Sequence, residues 1–127
     1  YLQPPKSAYR LEKGLHYFER AREELGRLGA SDPHELMRAN EADFIRDCAE
    51  MAARASLFRT ESRWGLYHHR LDFPELDDSN WFVHVNIKKG ADGAMNLFRR
   101  AVEPYVVSLD ADELRSYHRL RIESLAA

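Results

Sequence analysis

The sequence predicts a mainly α protein: a small antiparallel helical bundle, then an extended segment, a β-hairpin and a C-terminal helix. Three observations carry this. Apolar residues recur in steps of three and four between Ala8 and Phe58, the mark of helices with one buried face. From Trp81 to Lys89 the period changes to two, the mark of a strand. An Asp-x-x-Glu box at Asp110 and Glu113 then opens a last apolar run, as a helix N-terminus does. The chain divides into a helical bundle over 1–62, an extended segment and hairpin over 63–109, and a terminal helix over 110–127, together one domain.

Each element has its local reason. Pro4 and Pro5 form an extended entry, because each fixes φ and disfavours helix in the residue before it. Ser7 is placed to cap a first helix from Ala8 to about Leu28, with Leu11, Leu15, Phe18, Ala21, Leu25 and Leu28 on one face and a stop expected at Gly29. Ser31-Asp32-Pro33 is a start signal, a capping oxygen followed by proline at the first helical position. Helix should follow from Pro33 toward Asn40 and from about Glu41 to Phe58, as two helices or one with a kink. Leu36, Met37, Phe44, Ile45, Cys48, Met51, Ala52, Ala55 and Leu57 supply its expected inward stripe. The alanines at 49, 52, 53 and 55 allow close helix approach.

Beyond Trp64, alternation sets Trp81, Val83, Val85 and Ile87 on one face and Phe82, His84, Asn86 and Lys88 on the other. Gly90-Ala-Asp-Gly93 reads as the hairpin turn, since glycine reaches positive φ cheaply. A second strand is expected from about Ala94 to Arg100, ended by Pro104. Leu114, Tyr117, Leu120 and Ile122 form the apolar side of the last helix.

Composition narrows the function. A formal charge of −2 over 127 residues gives no general attraction to nucleic acid. One cysteine, Cys48, excludes an internal disulfide and is compatible with a cytoplasmic location. No apolar run reaches the roughly 18 residues of a membrane span, so no direct membrane insertion is expected. A start at Tyr1-Leu-Gln-Pro-Pro rather than Met reads as a piece of something longer.

The densest chemistry lies between Arg59 and Trp81: Arg59-Thr-Glu61-Ser-Arg63-Trp64, then Tyr67-His-His-Arg70, Asp72-Phe-Pro74 and Asp77-Asp78-Ser79-Asn80-Trp81. Glu61 among Arg59, Arg63 and Arg70 could be an anion clamp, because guanidinium forks match carboxylate and phosphate. The same residues could be ion pairs that pin the chain as it leaves the helix, and this reading is favoured. His68, His69 and His84 with Glu61 and Asp72 have metal-ligand chemistry. Adjacent histidines in an extended stretch point to opposite sides, however, so hydrogen-bonded or surface histidines are expected. Cys48 on the apolar stripe reads as a core thiol. Trp64, Tyr67, Phe73, Trp81 and Phe82 form either a second small core or a docking face, and the sequence leaves both open.

A Glu-Ser-Arg near a helix end, then Asp-Phe-Pro, then Asp-Asp-x-Asn-Trp, resembles the C-terminal region of the flavoprotein subunit of succinate dehydrogenase and fumarate reductase. The Arg63-Trp64-Gly65 variant with Tyr67 leans toward the related adenylylsulfate reductase alpha subunit. The resemblance implies a parent FAD-dependent oxidoreductase. Its flavin exchanges hydride with a dicarboxylate or forms a sulfite adduct, and its electrons pass to an iron–sulfur subunit. It also implies that this chain is a scaffold. The family's substrate-binding and proton-donating residues lie upstream and none maps here. The six glycines, at 14, 26, 29, 65, 90 and 93, make no Gly-x-Gly-x-x-Gly loop for the FAD pyrophosphate. No catalytic, cofactor-binding or metal-ligating residue is therefore assigned. Arg59, Glu61, Arg63, Trp64, Tyr67, Arg70 and Trp81 are assigned structural and docking roles, toward the FAD-binding and capping domains of the parent. The alternative is a free-standing helical interaction module, which accounts for the caps and charge but not for the Arg59–Trp81 motif.

Overall fold

The computed structural model describes residues 2–102. The expected helix over 110–127 and the stop at Pro104 lie outside the described residues. The order is helix α1 (Ala8–Leu25), helix α2 (Pro33–Phe58), a 3₁₀ turn (Gly65–Tyr67), a short helix α3 (Asp78–Trp81), and strands β1 (Val83–Lys89) and β2 (Met95–Ala101). The described part is thus mostly helical with one antiparallel hairpin.

The caps follow the local chemistry. The Ser7 hydroxyl accepts from the Arg10 amide, and the Asp32 carboxylate accepts from the Glu35 amide with Pro33 just inside the helix. Glu35 reaches back to the Ser31 amide and hydroxyl at 2.9 and 2.7 Å. These contacts satisfy orphan donors of the first turn. α2 is continuous through Asn40 and Glu41; nothing there removes an amide or forces a break, so the expected division does not occur. α1 stops at Leu25, with Gly26 as its cap, earlier than the expected end at Leu28 and Gly29. The Gly26 amide closes on Arg22 and Glu24, and the Arg27 and Leu28 amides close on Glu24 and Leu25, tightening the last turn.

α1 and α2 run antiparallel. Leu25 and Leu28 lie beside Ala42 and Ile45, while Glu12 and Leu15 lie beside Glu50 and Arg54. The fully buried apolar positions are Leu11 on α1 and Ala53 on α2. Buried Glu50 accepts from Arg22 of α1 at 2.6 Å and from Arg46 and Arg54 of its own helix at 2.9 and 2.8 Å. This ionic ridge overturns the inward stripe expected for α2. Phe44 and Ile45 are about two-thirds exposed, at 68% and 70%. Leu36, Met37 and Met51 are exposed with them, as is Cys48, which is therefore not a core thiol. Periodicity finds an apolar face but not the element it faces, and α1 packs on the opposite side.

Trp81 closes α3 instead of opening the strand. The Asp77 carboxylate caps that turn through the Asn80 amide, a local bond that outcompetes extension. β1 and β2 pair from Val83↔Ala101 to Lys89↔Met95. The Gly90 amide donates to the Ala94 carbonyl at 2.8 Å, and Gly93 takes φ +82°, a conformation glycine adopts without Cβ strain.

Candidate functional site

The Arg59–Trp81 segment folds into a polar knot where α2 ends. The Glu61 side chain is fully buried. One of its oxygens accepts from Arg59 and from Arg63 Nε at 2.7 Å. The other accepts from Arg63 at 3.1 Å and from the Asp77 amide at 2.9 Å. Arg63 also reaches Asp78 at 2.5 Å. Arg59 donates to the carbonyls of Trp81 and Val83 at 2.9 and 2.6 Å. Glu61 thereby joins the end of α2 to α3 and to the start of β1. A buried carboxylate is tolerable only with this density of charge-assisted donors.

Arg70 forms the second half of the knot. Its guanidinium donates to the carbonyls of Ser56, Leu57 and Arg59 at 2.6, 3.4 and 3.1 Å, which are acceptors orphaned by the end of α2. Its other nitrogens grip both oxygens of Asp72 at 2.8 and 2.6 Å. Asp72 in turn accepts from the Ala8 amide at 2.9 Å. One ion pair therefore holds the C-terminus of α2 and the N-terminus of α1, each with the charge sign that its dipole favours. The Arg70 hydrogen bonds, and then the Ala8 amide, hold the Asp72 carboxyl down at about 2, against an opposing effect of burial. Ser62 locks the loop: its hydroxyl accepts from the Arg70 amide and donates to the Phe73 carbonyl, both at 2.8 Å.

Aromatic rings cover the cations. The Arg59 guanidinium lies 5.4 Å from the Trp81 ring and 5.9 Å from that of Trp64. Arg99 from β2 stacks on Trp81 at 3.7 Å, and Phe58 meets Trp81 edge-on at 5.8 Å. Such contacts add to an ion-pair network where water is excluded. His68 is buried, and its Nε2 finds no partner among the described residues. Burial first, then the charges of Lys6, Arg59 and Arg70, push the imidazole down to about 4. Lys6 is lowered as well, by burial and then by Arg70, and donates to Ser56 Oγ at 3.0 Å.

Of the residues singled out from sequence, Arg59, Glu61, Arg63, Arg70 and Trp81 come together. Tyr67 does not join them, and Trp64 meets them only through its ring over Arg59; both are exposed at the 3₁₀ turn, where Trp64 and Gly65 take φ +58°. Ser62, Asp72, Asp77 and Asp78 were visible within the motif, but their roles as lock, dipole partner and loop anchors were not. Arg99 and Lys6 carried no local signal, since each arrives from a distant part of the chain.

Chemically the knot is closed. The guanidinium forks are occupied by carboxylates and backbone carbonyls, so no anion clamp is open. Among the described residues no three His, Cys, Asp or Glu side chains converge as metal ligands. Among the described residues there is also no strand–glycine loop–helix cradle for the FAD pyrophosphate, since the helices all precede the hairpin.

A family model described as the fumarate reductase flavoprotein C-terminal region matches residues 2–117. The adenylylsulfate reductase alpha subunit of Megalodesulfovibrio gigas is 36% identical over 78 residues, which make up 61% of this chain and 12% of that protein. Among solved structures, adenosine-5-phosphosulfate reductase with a covalent sulfite adduct superposes with a TM-score of 0.76 at 32% identity, over 83% of this chain and 16% of that one. A variant of E. coli quinol fumarate reductase superposes with a TM-score of 0.72 at 25% identity, over 80% of this chain and 18% of that one. The chain thus spans less than a fifth of the relatives it matches.

Proposed function

Because this chain belongs to the fumarate reductase flavoprotein C-terminal family, we propose that it is the non-catalytic scaffold and docking domain of a larger FAD-dependent oxidoreductase. In this reading the parent carries the flavin. The domain braces the FAD-binding and capping portions, and electrons leave toward an iron–sulfur subunit. The identities of 36% and 32% to adenylylsulfate reductases, against 25% to fumarate reductase, favour the adenylylsulfate type, as does Trp64 after Ser62-Arg63.

One observation carries the scaffold role. The arginines and acids of the motif bond to one another and to the backbone at the helix ends, Glu61 being fully buried among them. A network closed in this way fixes the path of the chain and offers nothing to a substrate. Its mechanism is positional: Glu61 and Arg70 set where α2 ends, and so how the aromatic turn and the hairpin stand relative to the bundle.

The test is made in the intact flavoprotein subunit. Replacing Arg63 by Gln is expected to lower Tm and the fraction of subunits holding flavin, while KM of the flavin-loaded remainder stays within about twofold. A large fall in kcat with Tm and flavin content unchanged would show that the motif takes part in the chemistry and would overturn the proposal.

A further inference from the structure

The β-hairpin concentrates positive charge. Its strands and turn hold Lys88, Lys89, Arg99 and Arg100 against a single acid, Asp92. The whole chain carries −2, so the rest of it is acidic. Arg99 is engaged, stacked on Trp81 and donating to the Asn80 carbonyl at 3.3 Å. Lys88, Lys89 and Arg100 are exposed, and among the described residues they have no ion-pair partner. The strand register puts Arg100 opposite His84 and Lys88 opposite Asn96 on one face, with Phe98 opposite Asn86 between them. Phe98 is 43% exposed. The other face, with Val83, Val85, Ile87, Met95 and Leu97, is half-buried. Cations and one aromatic ring therefore face outward. Like charges gathered on a hairpin repel unless a counter-charge lies over them. They also keep a second copy of the hairpin away from a two-stranded sheet, and the same charges select an acidic segment instead.

We propose that this outward face of the hairpin binds an extended acidic segment of a separate partner polypeptide. The two cationic ends, at His84 with Arg100 and at Lys88 with Asn96, lie four residues apart along β1, about 13 Å. In an extended chain alternate side chains point the same way. A segment reading acid–x–apolar–x–acid therefore spans that distance, with carboxylates over Arg100 and Lys88 and its apolar side chain over Phe98. The Arg100 fork matches a carboxylate, and the Phe98 ring gives the apolar side chain a surface to cover. Nucleic acid and anionic membrane suit the site less well. The patch is one short hairpin, and a long phosphate array or a lipid surface would also meet the acidic remainder of the chain. None of these residues belongs to the knot at Glu61 and Arg70, so the proposal stands apart from the scaffold reading.

The test is fluorescence anisotropy of a labelled peptide containing Glu-Thr-Val-Thr-Glu, titrated with the 127-residue chain. Saturable binding is expected at low salt, weakened at least about tenfold in about 0.5 M salt. Lys88→Glu and Arg100→Glu should each weaken it by about tenfold with the circular dichroism unchanged, since both side chains are exposed. The charge-reversed peptide Lys-Thr-Val-Thr-Lys should bind the doubly substituted chain and not the original one, an exchange that misfolding cannot produce. A peptide with Ser in place of Val should bind several-fold more weakly, about what one lost apolar contact is worth. Absence of saturable binding overturns the proposal, as does binding that both substitutions leave intact. Capture by a DNA oligonucleotide or by phosphatidylserine vesicles without capture of the peptide also overturns it, and assigns the face to phosphate ligands.

Discussion

At the scale of single residues, the buried charges decide stability. Glu61 has no solvent exposure and holds Arg59, Arg63 and the Asp77 amide. Glu61→Ala leaves Arg59 without its counter-charge and Arg63 with Asp78 alone, and should cost about 3–5 kcal/mol. Urea unfolding of the chain measures this, and a loss under about 1 kcal/mol would mean that solvent screens the knot as it screens surface pairs. His68 and Asp72 give stability a two-step acid dependence. The folded His68 imidazole is lowered from 6.5 to about 4, so the folded state binds fewer protons than the unfolded one. Stability is therefore full above pH 6.5 and falls as the pH drops toward 4. Asp72 is lowered from 3.8 to about 2, so its contribution is present above pH 3.8 and is lost as the pH falls through 2. Urea midpoints followed from pH 8 to pH 2 should show both losses, and His68→Gln should remove the first while leaving the second. The motif's residue types made the site legible, since arginines around one glutamate must either pair or bind an anion. Which of the two they did required distances, and Arg99 over Trp81 could not be seen at all from the order of residues.

At the scale of elements, the N-termini of α1 and α2 are where sequence and structure agree most closely. Ser7 and Asp32 each cap the helix they precede, because a capping bond joins residues two or three apart and needs nothing else. Asp32→Ala should cost about 1 kcal/mol, read from thermal or urea unfolding. The C-terminus of α2 is different, because its cap, Arg70, lies beyond the helix and a loop. Arg70→Met uncaps the last carbonyls of α2 and frees Asp72, so it should cost about 2–4 kcal/mol by the same measurement. Arg70→Lys should recover little of that, since an ammonium lacks the fork that meets helix end and carboxylate together. A fully rescued lysine variant would show that charge alone suffices. In the hairpin, Gly93 at φ +82° makes Gly93→Ala destabilising by about 1 kcal/mol, whereas a neutral result would require the turn to adopt another type.

At the scale of the molecule, α1 and α2 meet through apolar residues around Leu11 and Ala53 and through one ion pair across the interface, Arg22 with Glu50. Glu50 receives three arginines, one of them Arg22 across the interface. Glu50→Gln should loosen the helix pair by about 2–3 kcal/mol, visible as a lower Tm, because neutral oxygen cannot offset guanidinium charges held near a buried site. The exposed apolar side of α2 should bind a hydrophobic dye in the isolated chain, and Phe44→Glu should reduce that binding. What the sequence by itself determined is everything set by neighbours a few residues apart: the helices and their first turns, the alternation of β1, the glycine turn, and the presence of an apolar stripe on α2. What only the tertiary structure decided is direction and pairing: which side of α2 meets α1, that Cys48 lies outside, that Trp81 ends a helix turn, and that the arginines close on Glu61 and Asp72. Periodicity records that a face exists but not what lies against it, because the free energy of burial depends on area removed from water and not on which element removes it. In this chain the side of α2 with Arg46, Glu50 and Ala53 is buried, and Phe44 and Met51 stay exposed.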